Sequence, residues 1–189
     1  MVSGEKLVRL ARSTVENYIK TRKFEIVDIY KEKRGVFVTI ETYPGKKLRG
    51  CIGFPSAVYP LSEAVQRAAL SAAFEDPRFP PVDEDELDKI IFEISILTEP
   101  ELINVKDKKE YLNCICKKDG LIIINKNNSG LFLPQVWEQI KDKKKFLECL
   151  CMKAFLPTDA WMDEDTKLFK FHVQVFKELK PNGKVESTE

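Results

Sequence analysis

Histidine is nearly absent: the chain of 189 residues has one, His172. That excludes a His-rich metal cage. A Ser-His-Asp arrangement could be built only on His172, and no Gly-x-Ser-x-Gly elbow accompanies it. Net charge is also lacking. Lys plus Arg is 31 and Asp plus Glu is 30, a formal balance of +1, which disfavours both a strongly basic nucleic-acid binder and an acidic solvating protein. No apolar run approaches the roughly 20 residues that a membrane-spanning helix needs. The opening Met1-Val2-Ser3-Gly4-Glu5-Lys6 has no apolar signal core and no cleavage site, so a cytoplasmic protein without membrane association is expected. Internal repeats and low-complexity linkers are missing too. Hydrophobic residues at 43% and charged residues at 32% then suffice for an ordinary packed core.

The cysteines are Cys51, Cys114, Cys116, Cys149 and Cys151. An odd number, with four in Cys-x-Cys pairs, does not read as a secreted disulfide framework but as reduced thiols. Cys149 and Cys151 fall on an expected helix, where two steps of about 100° point them away from a common metal. Zinc sites also favour wider spacing within each pair, so no metal and no cofactor is assigned.

Hydrophobic periodicity sets out the elements. Leu7, Ala11, Val15, Tyr18 and Ile19 predict a helix over 5–20. Val36, Val38 and Ile40 alternate with Phe37, Thr39 and Glu41 over 35–43, and after a Pro44-Gly45 turn a second strand runs from about Lys46 into Cys51. Leu61, Ala64, Val65, Ala68 and Ala72 predict a helix over 60–75 with a small-residue face, stopped near Asp76 by Pro77. Asp83 caps a short acidic helix through Leu87. A strand covers 89–98, and a hairpin covers 120–133 with its turn at Asn127-Asn128-Ser129-Gly130. Short helices start at Pro134 and run from Phe146 to Phe155. A closing strand over 167–178 places Phe169, Phe171, Val173 and Val175 inward. The fold class expected is α+β, an antiparallel sheet flanked by helices. One domain over 1–180 is expected, with a smaller lobe within about 100–165 and a flexible, frayed tail over 181–189.

The segment Leu48-Arg49-Gly50-Cys51-Ile52-Gly53-Phe54 carries the most information. Gly50 and Gly53 flank Cys-Ile at an expected strand end, where they permit a bend or the close approach of a backbone or ligand. Arg49 could hold an anion, and Cys51 could act as a nucleophile if positive charge stabilised its thiolate. The alternative, which the residues alone favour, is a tight bend with a buried, inert cysteine. It is not a Walker loop, for no lysine and hydroxyl follow the last glycine. A KH-type Gly-x-x-Gly loop belongs to a different structural context. His172 sits on the polar side of the closing strand and is expected to be an exposed spectator. Glu75-Asp76-Pro77-Arg78-Phe79-Pro80-Pro81 reads as a helix stop and extended connector, or as a rigid cleft wall presenting Asp76 and Arg78. The acidic stretch around Asp159, Trp161, Asp163, Glu164 and Asp165 reads as a solvated loop, since it lacks the glycine of an EF-hand.

Taken in order, these segments resemble the AMMECR domain family. The resemblance rests on Arg49-Gly50-Cys51-Ile52-Gly53 within the signature and on Glu75 to Pro81. It continues in Glu93 to Leu97 with Pro100-Glu101, in Asp119 to Ile122, in Leu133 to Val136, and in Phe146-Leu147 through Lys153-Ala154 to Asp159 and Trp161. It covers about residues 5–178 and is similar to the stand-alone archaeal form; Phe54 departs from a threonine often found there. The resemblance implies an α+β fold with a smaller second lobe, and a shared pathway with a Memo-like protein and a radical S-adenosylmethionine enzyme. It draws attention to Arg49 and Cys51 and, by the same matching, to Asp76, Arg78, Phe79 and Lys153. Two functions follow as expectations. The preferred one is a binding or accessory module that works with those partners. The alternative is a small enzyme or modification factor, with Cys51 as nucleophile or redox thiol, Arg49 as anion holder, and Gly50 and Gly53 admitting substrate.

Overall fold

The structure, a computed structural model, describes residues 2–188. In chain order its elements are α1 (Gly4–Thr21), β1 (Val36–Thr42), β2 (Leu48–Phe54), α2 (Leu61–Phe74), a 3-10 segment (Glu84–Lys89), β3 (Ile90–Leu97) and β4 (Glu101–Leu102). There follow α3 (Tyr111–Cys114), β5 (Gly120–Asn125), β6 (Asn128–Phe132), α4 (Lys143–Lys153), β7 (Thr166–Phe171), β8 (Val173–Glu178) and β9 (Val185–Thr188). The fold is α+β with antiparallel sheets. No helix among the described residues is long and apolar enough to cross a membrane.

The chain forms two compact units. One holds the chain up to Leu97 and from Gln174 onward; the other is Thr98–Val173, a wider span than the lobe expected at about 100–165. In the first unit the strand order is β2-β1-β3-β8-β9. Ser3 starts α1 by accepting the Lys6 N–H at 3.4 Å, the role of a capping hydroxyl. Leu7, Val8, Ala11 and Val15 then lie on its buried stripe. Val36, Val38 and Ile40 of β1 face the same core as Ala64, Val65, Ala68 and Ala72 of α2. Strand side chains alternate between faces, so Phe37, Thr39 and Glu41 stand on the opposite face of the sheet, where each is half-buried.

The second unit has the sheet order β4-β7-β5-β6. Phe146, Leu147, Leu150 and Cys151 of α4 are buried in its core. The Trp137 ring stacks on Phe146 with centroids 3.7 Å apart.

Four expectations are corrected. The closing strand over 167–178 is two strands, β7 and β8, in different sheets. His172 N–H donates to Thr98 Oγ1 and its carbonyl accepts the Thr98 N–H, both at 2.9 Å, so the ladder is interrupted there. In consequence Thr166, Leu168 and Phe171 are the buried residues of β7, while Phe169, Val173 and Val175 are half-buried. The hairpin turn is Lys126-Asn127, with Lys126 in the left-handed region at φ 52, and Asn128-Ser129-Gly130 belong to β6. The second strand runs on to Phe54, which places Cys51 in mid-strand opposite Thr39. The frayed tail is replaced over Val185–Thr188 by β9, which pairs with β8. Pro181-Asn182-Gly183 supplies the turn, with Asn182 at φ 55, a conformation that asparagine tolerates. Glu189 lies outside the described residues.

Candidate functional site

The signature segment is built by close contact rather than by a bend. Neither Gly50 nor Gly53 has positive φ. A Cβ on Gly50 would overlap the Ala72 carbonyl oxygen of α2, and one on Gly53 would overlap the Val36 carbonyl oxygen. The missing side chains therefore admit the protein's own backbone. Between Ile40↔Gly50 and Glu41↔Leu48 the register shifts, leaving Arg49 as the extra residue of a β-bulge, a device that re-aims a side chain.

Arg49, which from sequence could hold an anion, is 7% exposed. Its Nε and Nη2 donate to the two carboxylate oxygens of Glu86, each at 2.8 Å, and its Nη1 is buried without a hydrogen-bond partner. This is the bidentate geometry that suits a guanidinium. Glu86 is itself fixed, because it forms a reciprocal capping box with Asp83 at the start of the 3-10 segment. The Arg49 bonds hold the Glu86 carboxyl below its ordinary pKa, against the opposing effect of burial. The Phe79 ring lies 6.0 Å from the Arg49 guanidinium and 5.5 Å from that of Arg78.

Asp76 and Arg78 close the sheet edge at Cys51. β2 is an edge strand, so on its outer side the backbone has no strand to bond. The Cys51 N–H donates to Asp76 Oδ2 at 2.9 Å, and Arg78 Nη2 donates to the Cys51 carbonyl at 3.2 Å. The two side chains bind each other as well, Arg78 Nε to Oδ1 at 2.9 Å and Nη2 to Oδ2 at 2.6 Å. Carboxylate and guanidinium thus supply the acceptor and the donor that a further strand would have offered. Asp76 is 4% exposed; hydrogen bonding from Arg78 holds its carboxyl well below the usual carboxylate range, with burial opposing and the Cys51 and Arg78 N–H groups assisting.

That depression fixes a pH response. A carboxyl whose folded pKa lies below its unfolded value binds more protons when unfolded, so its stabilisation is whole above about pH 4 and lost as pH falls through the folded value. Urea midpoints should therefore hold steady from neutrality to about pH 5 and decline below about pH 4. Asp76→Asn should lower the neutral plateau and flatten the acid decline. An unchanged acid limb in that variant would remove Asp76 from this role.

Cys51 is half-buried. Its sulfur accepts the Thr39 hydroxyl at 3.3 Å. Burial raises the thiol pKa, offset in part by Thr39 and Arg78, while Asp76 and Glu93 push it further up. The polar row continues across the sheet, because Thr39 pairs with Cys51 on one side and with Glu93 on the other. Lys177 Nζ then bonds Glu41 at 2.7 Å and Glu93 at 3.0 Å. Burial presses the Lys177 pKa down, but the two carboxylates outweigh it and the net shift is upward.

Arg49, Gly50, Cys51, Asp76, Arg78 and Phe79 thus share one region of the first unit, and Gly53 lies two positions along the same strand. Lys153 belongs to the second unit, exposed, with its ammonium 5.8 Å from the Phe132 ring centre. Sequence reasoning missed Glu86, Glu93 and Lys177. Glu93 was legible as an outward residue of β3, and Glu86 as the third residue after a capping aspartate. Nothing local marks Lys177. His172, expected as a spectator, has its Nε2 3.1 Å from the buried Asp119 carboxylate. Among the described residues no three His, Cys, Asp or Glu side chains are grouped as a metal would need. Chemically, the row offers a thiol, a hydroxyl and cations that each already have a carboxylate, Lys177 being shared between two.

Comparison with known proteins finds archaeal relatives along almost the whole chain. A protein of Methanocaldococcus jannaschii is 49% identical over 187 residues, covering 96% of this chain and 93% of its own. One of Thermococcus onnurineus is 47% identical over 196 residues, covering 97% and 94%. The crystal structure of an uncharacterised protein from Pyrococcus horikoshii matches with a TM-score of 0.87 at 46% identity, over 98% of this chain and 96% of that one. The AMMECR1 family profile matches residues 8–176, a span that includes both β2 with its edge clamp and the whole second unit. The chain belongs to the AMMECR1 family.

Proposed function

We propose that this protein is a cytoplasmic binding or accessory module that works with a Memo-like protein and a radical S-adenosylmethionine enzyme. One observation supports the reading most: the charges around Cys51 are already committed. Arg49 is held by Glu86, Arg78 by Asp76, and Lys177 by Glu41 and Glu93. A thiol nucleophile needs a stabilised thiolate, whereas this thiol is shifted toward its protonated form. The rigid edge around Cys51, with Arg78 and Phe79 beside it, suits recognition of a partner better than bond making.

Thiol alkylation separates this reading from the enzymatic one. At about pH 8, Cys51 should react more slowly than the exposed Cys114 and Cys116, and its rate should climb only above the ordinary thiol range. A Cys51 that alkylates fastest and below neutral pH would restore the nucleophile. The complementary test mixes the protein with the Memo-like and radical enzymes of the same organism. Co-elution that survives Cys51→Ser supports a module, and elution of all three as separate species overturns it.

A further inference from the structure

The second unit holds an open cleft of about 410 Å³, within the size range of small-molecule sites. Its walls come from separate elements. The turn Lys108–Glu110 contributes Lys109 and α3 contributes Leu112. From α4 come Lys144 and Glu148, and the segment after α4 contributes Thr158, Asp159, Trp161 and Met162. Apolar surface from Leu112, Trp161 and Met162 therefore lies between charged groups.

Two of these walls are tied to a single residue. Thr166 Oγ1 donates to the Ala160 carbonyl at 2.6 Å and accepts from Asn125 Nδ2 at 2.8 Å. The Thr166 carbonyl accepts from Lys108 Nζ at 2.6 Å. Thr166 is 1% exposed and its two hydroxyl bonds are buried, so the cleft is held in place before anything enters it.

The charges in the cleft are unequally satisfied. Glu148 has Lys145 at 3.5 Å and Lys144 at 4.0 Å. Lys109 and Asp159 have no ion-pair partner among the described residues. Asp159 precedes the turn Ala160–Met162 with helical backbone angles, φ −96 and ψ 0, so its exposed carboxylate is not drawn into a cap and stays free toward the cleft. An unpaired cation and an unpaired anion thus stand on different walls of one apolar-floored cleft. A ligand bearing one charge answers only half of that pattern, and a purely apolar ligand answers neither.

We propose that this cleft binds a free α-amino acid with a large apolar side chain. Its carboxylate would meet Lys109, with Lys144 in support, its ammonium would meet Asp159, and its side chain would cover Leu112, Trp161 and Met162. The acidic stretch with one large ring, read from sequence as a solvated loop, is then the ligand wall of this unit.

The chain has two tryptophans, and they give the test an internal control. Trp161 lines the cleft, whereas Trp137 donates its Nε1–H to the buried Asp119 carbonyl at 2.8 Å. L-phenylalanine titrated to tens of millimolar should shift the indole N–H resonance of Trp161 saturably and leave that of Trp137 in place. Phenethylamine, which lacks the carboxylate, and 3-phenylpropanoate, which lacks the ammonium, should each bind more weakly. Asp159→Asn and Lys109→Gln should each weaken L-phenylalanine by about two- to fivefold, the scale of one exposed charge pair. Both side chains are at the surface, so both variants should fold. A Trp161 resonance that stays still, equal binding of all three probes, or variants that bind L-phenylalanine as tightly as the parent would each overturn the proposal.

Discussion

Glu178→Ala should cost the protein about 3–5 kcal/mol, the scale on which a buried ion pair loses one partner. Glu178 is 0% exposed and Arg12, opposite it on α1, is 2% exposed. Arg12 Nε donates to Oε1 at 2.8 Å and Nη2 to Oε2 at 2.6 Å. The same carboxylate accepts the Phe92 N–H at 3.1 Å and Arg9 Nη1 at 3.2 Å. Arg12 also donates to the Leu87 and Ile90 carbonyls and lies over the Phe92 ring at 4.9 Å. One carboxylate therefore joins α1, β3 and the end of β8. Alanine would leave the core guanidinium with only the outlying Glu16 carboxylate at 3.4 Å and the Phe92 N–H without its acceptor. Glu178→Gln keeps an acceptor and nearly the same shape, so its loss should be clearly smaller. Urea unfolding at neutral pH reads both: midpoints should fall in the order parent, Gln, Ala. An Ala variant within about 1 kcal/mol of the parent would mean that water reaches Arg12 and that this junction does not hold the unit together.

A period of two over Val36, Val38 and Ile40 reported β1 because one face of that strand is buried against helices. A period of three and four reported α1 for the same reason. Asp83 reported the capped segment, since a capping aspartate acts on the turn that directly follows it. These are local effects of local residues. The division of the closing strand was hidden because Phe169, Phe171, Val173 and Val175 alternate without a break through His172; the interruption is made by Thr98, 74 positions away. β9 was overlooked although Pro181-Asn182-Gly183 is a turn signal, because Val185 is the one apolar residue beyond it and a single position shows no alternation.

The site was half legible on the same terms. Arg49, Gly50, Cys51, Asp76, Arg78 and Phe79 stand in two short stretches that drew notice by composition, and they do come together. What those residues do depended on partners that no spacing rule reaches. Glu86 lies 37 positions from Arg49, and Asp76 lies 25 from the Cys51 N–H it accepts. An arginine and a cysteine seen alone left anion binding and a reactive thiol open beside the inert reading that they favoured. Seen with Glu86, Asp76 and Thr39, the arginine is a brace and the thiol is a shielded hydrogen-bond acceptor.

Gly50→Ala tests whether close packing beneath the signature, rather than a bend, is what the glycine provides. The added methyl would overlap the Ala72 carbonyl oxygen and stand 3.0 Å from its carbon. Both are backbone atoms, so no rotamer change relieves the clash. α2 offers its small face here, with Ala68, Ala69, Ala72 and Ala73 all buried, and β2 could only move outward. Overpacking of this kind costs about 1–3 kcal/mol and sometimes more, and about 3 kcal/mol is expected because backbone has to shift. Gly45→Ala is the control. Its new methyl would meet only Thr42 Oγ1 at 3.4 Å, so it should fall within about 0.5 kcal/mol of the parent. The two readings of Gly50 also separate in the chemistry of Cys51. If β2 is forced away from α2, the Asp76 bond to the Cys51 N–H opens and the sulfur gains water, so alkylation of Cys51 should accelerate along with the loss of stability. A glycine kept for ligand approach would give the opposite pair of results, with stability preserved and Cys51 no more reactive, because an alanine there would narrow the way in without disturbing the helix behind it.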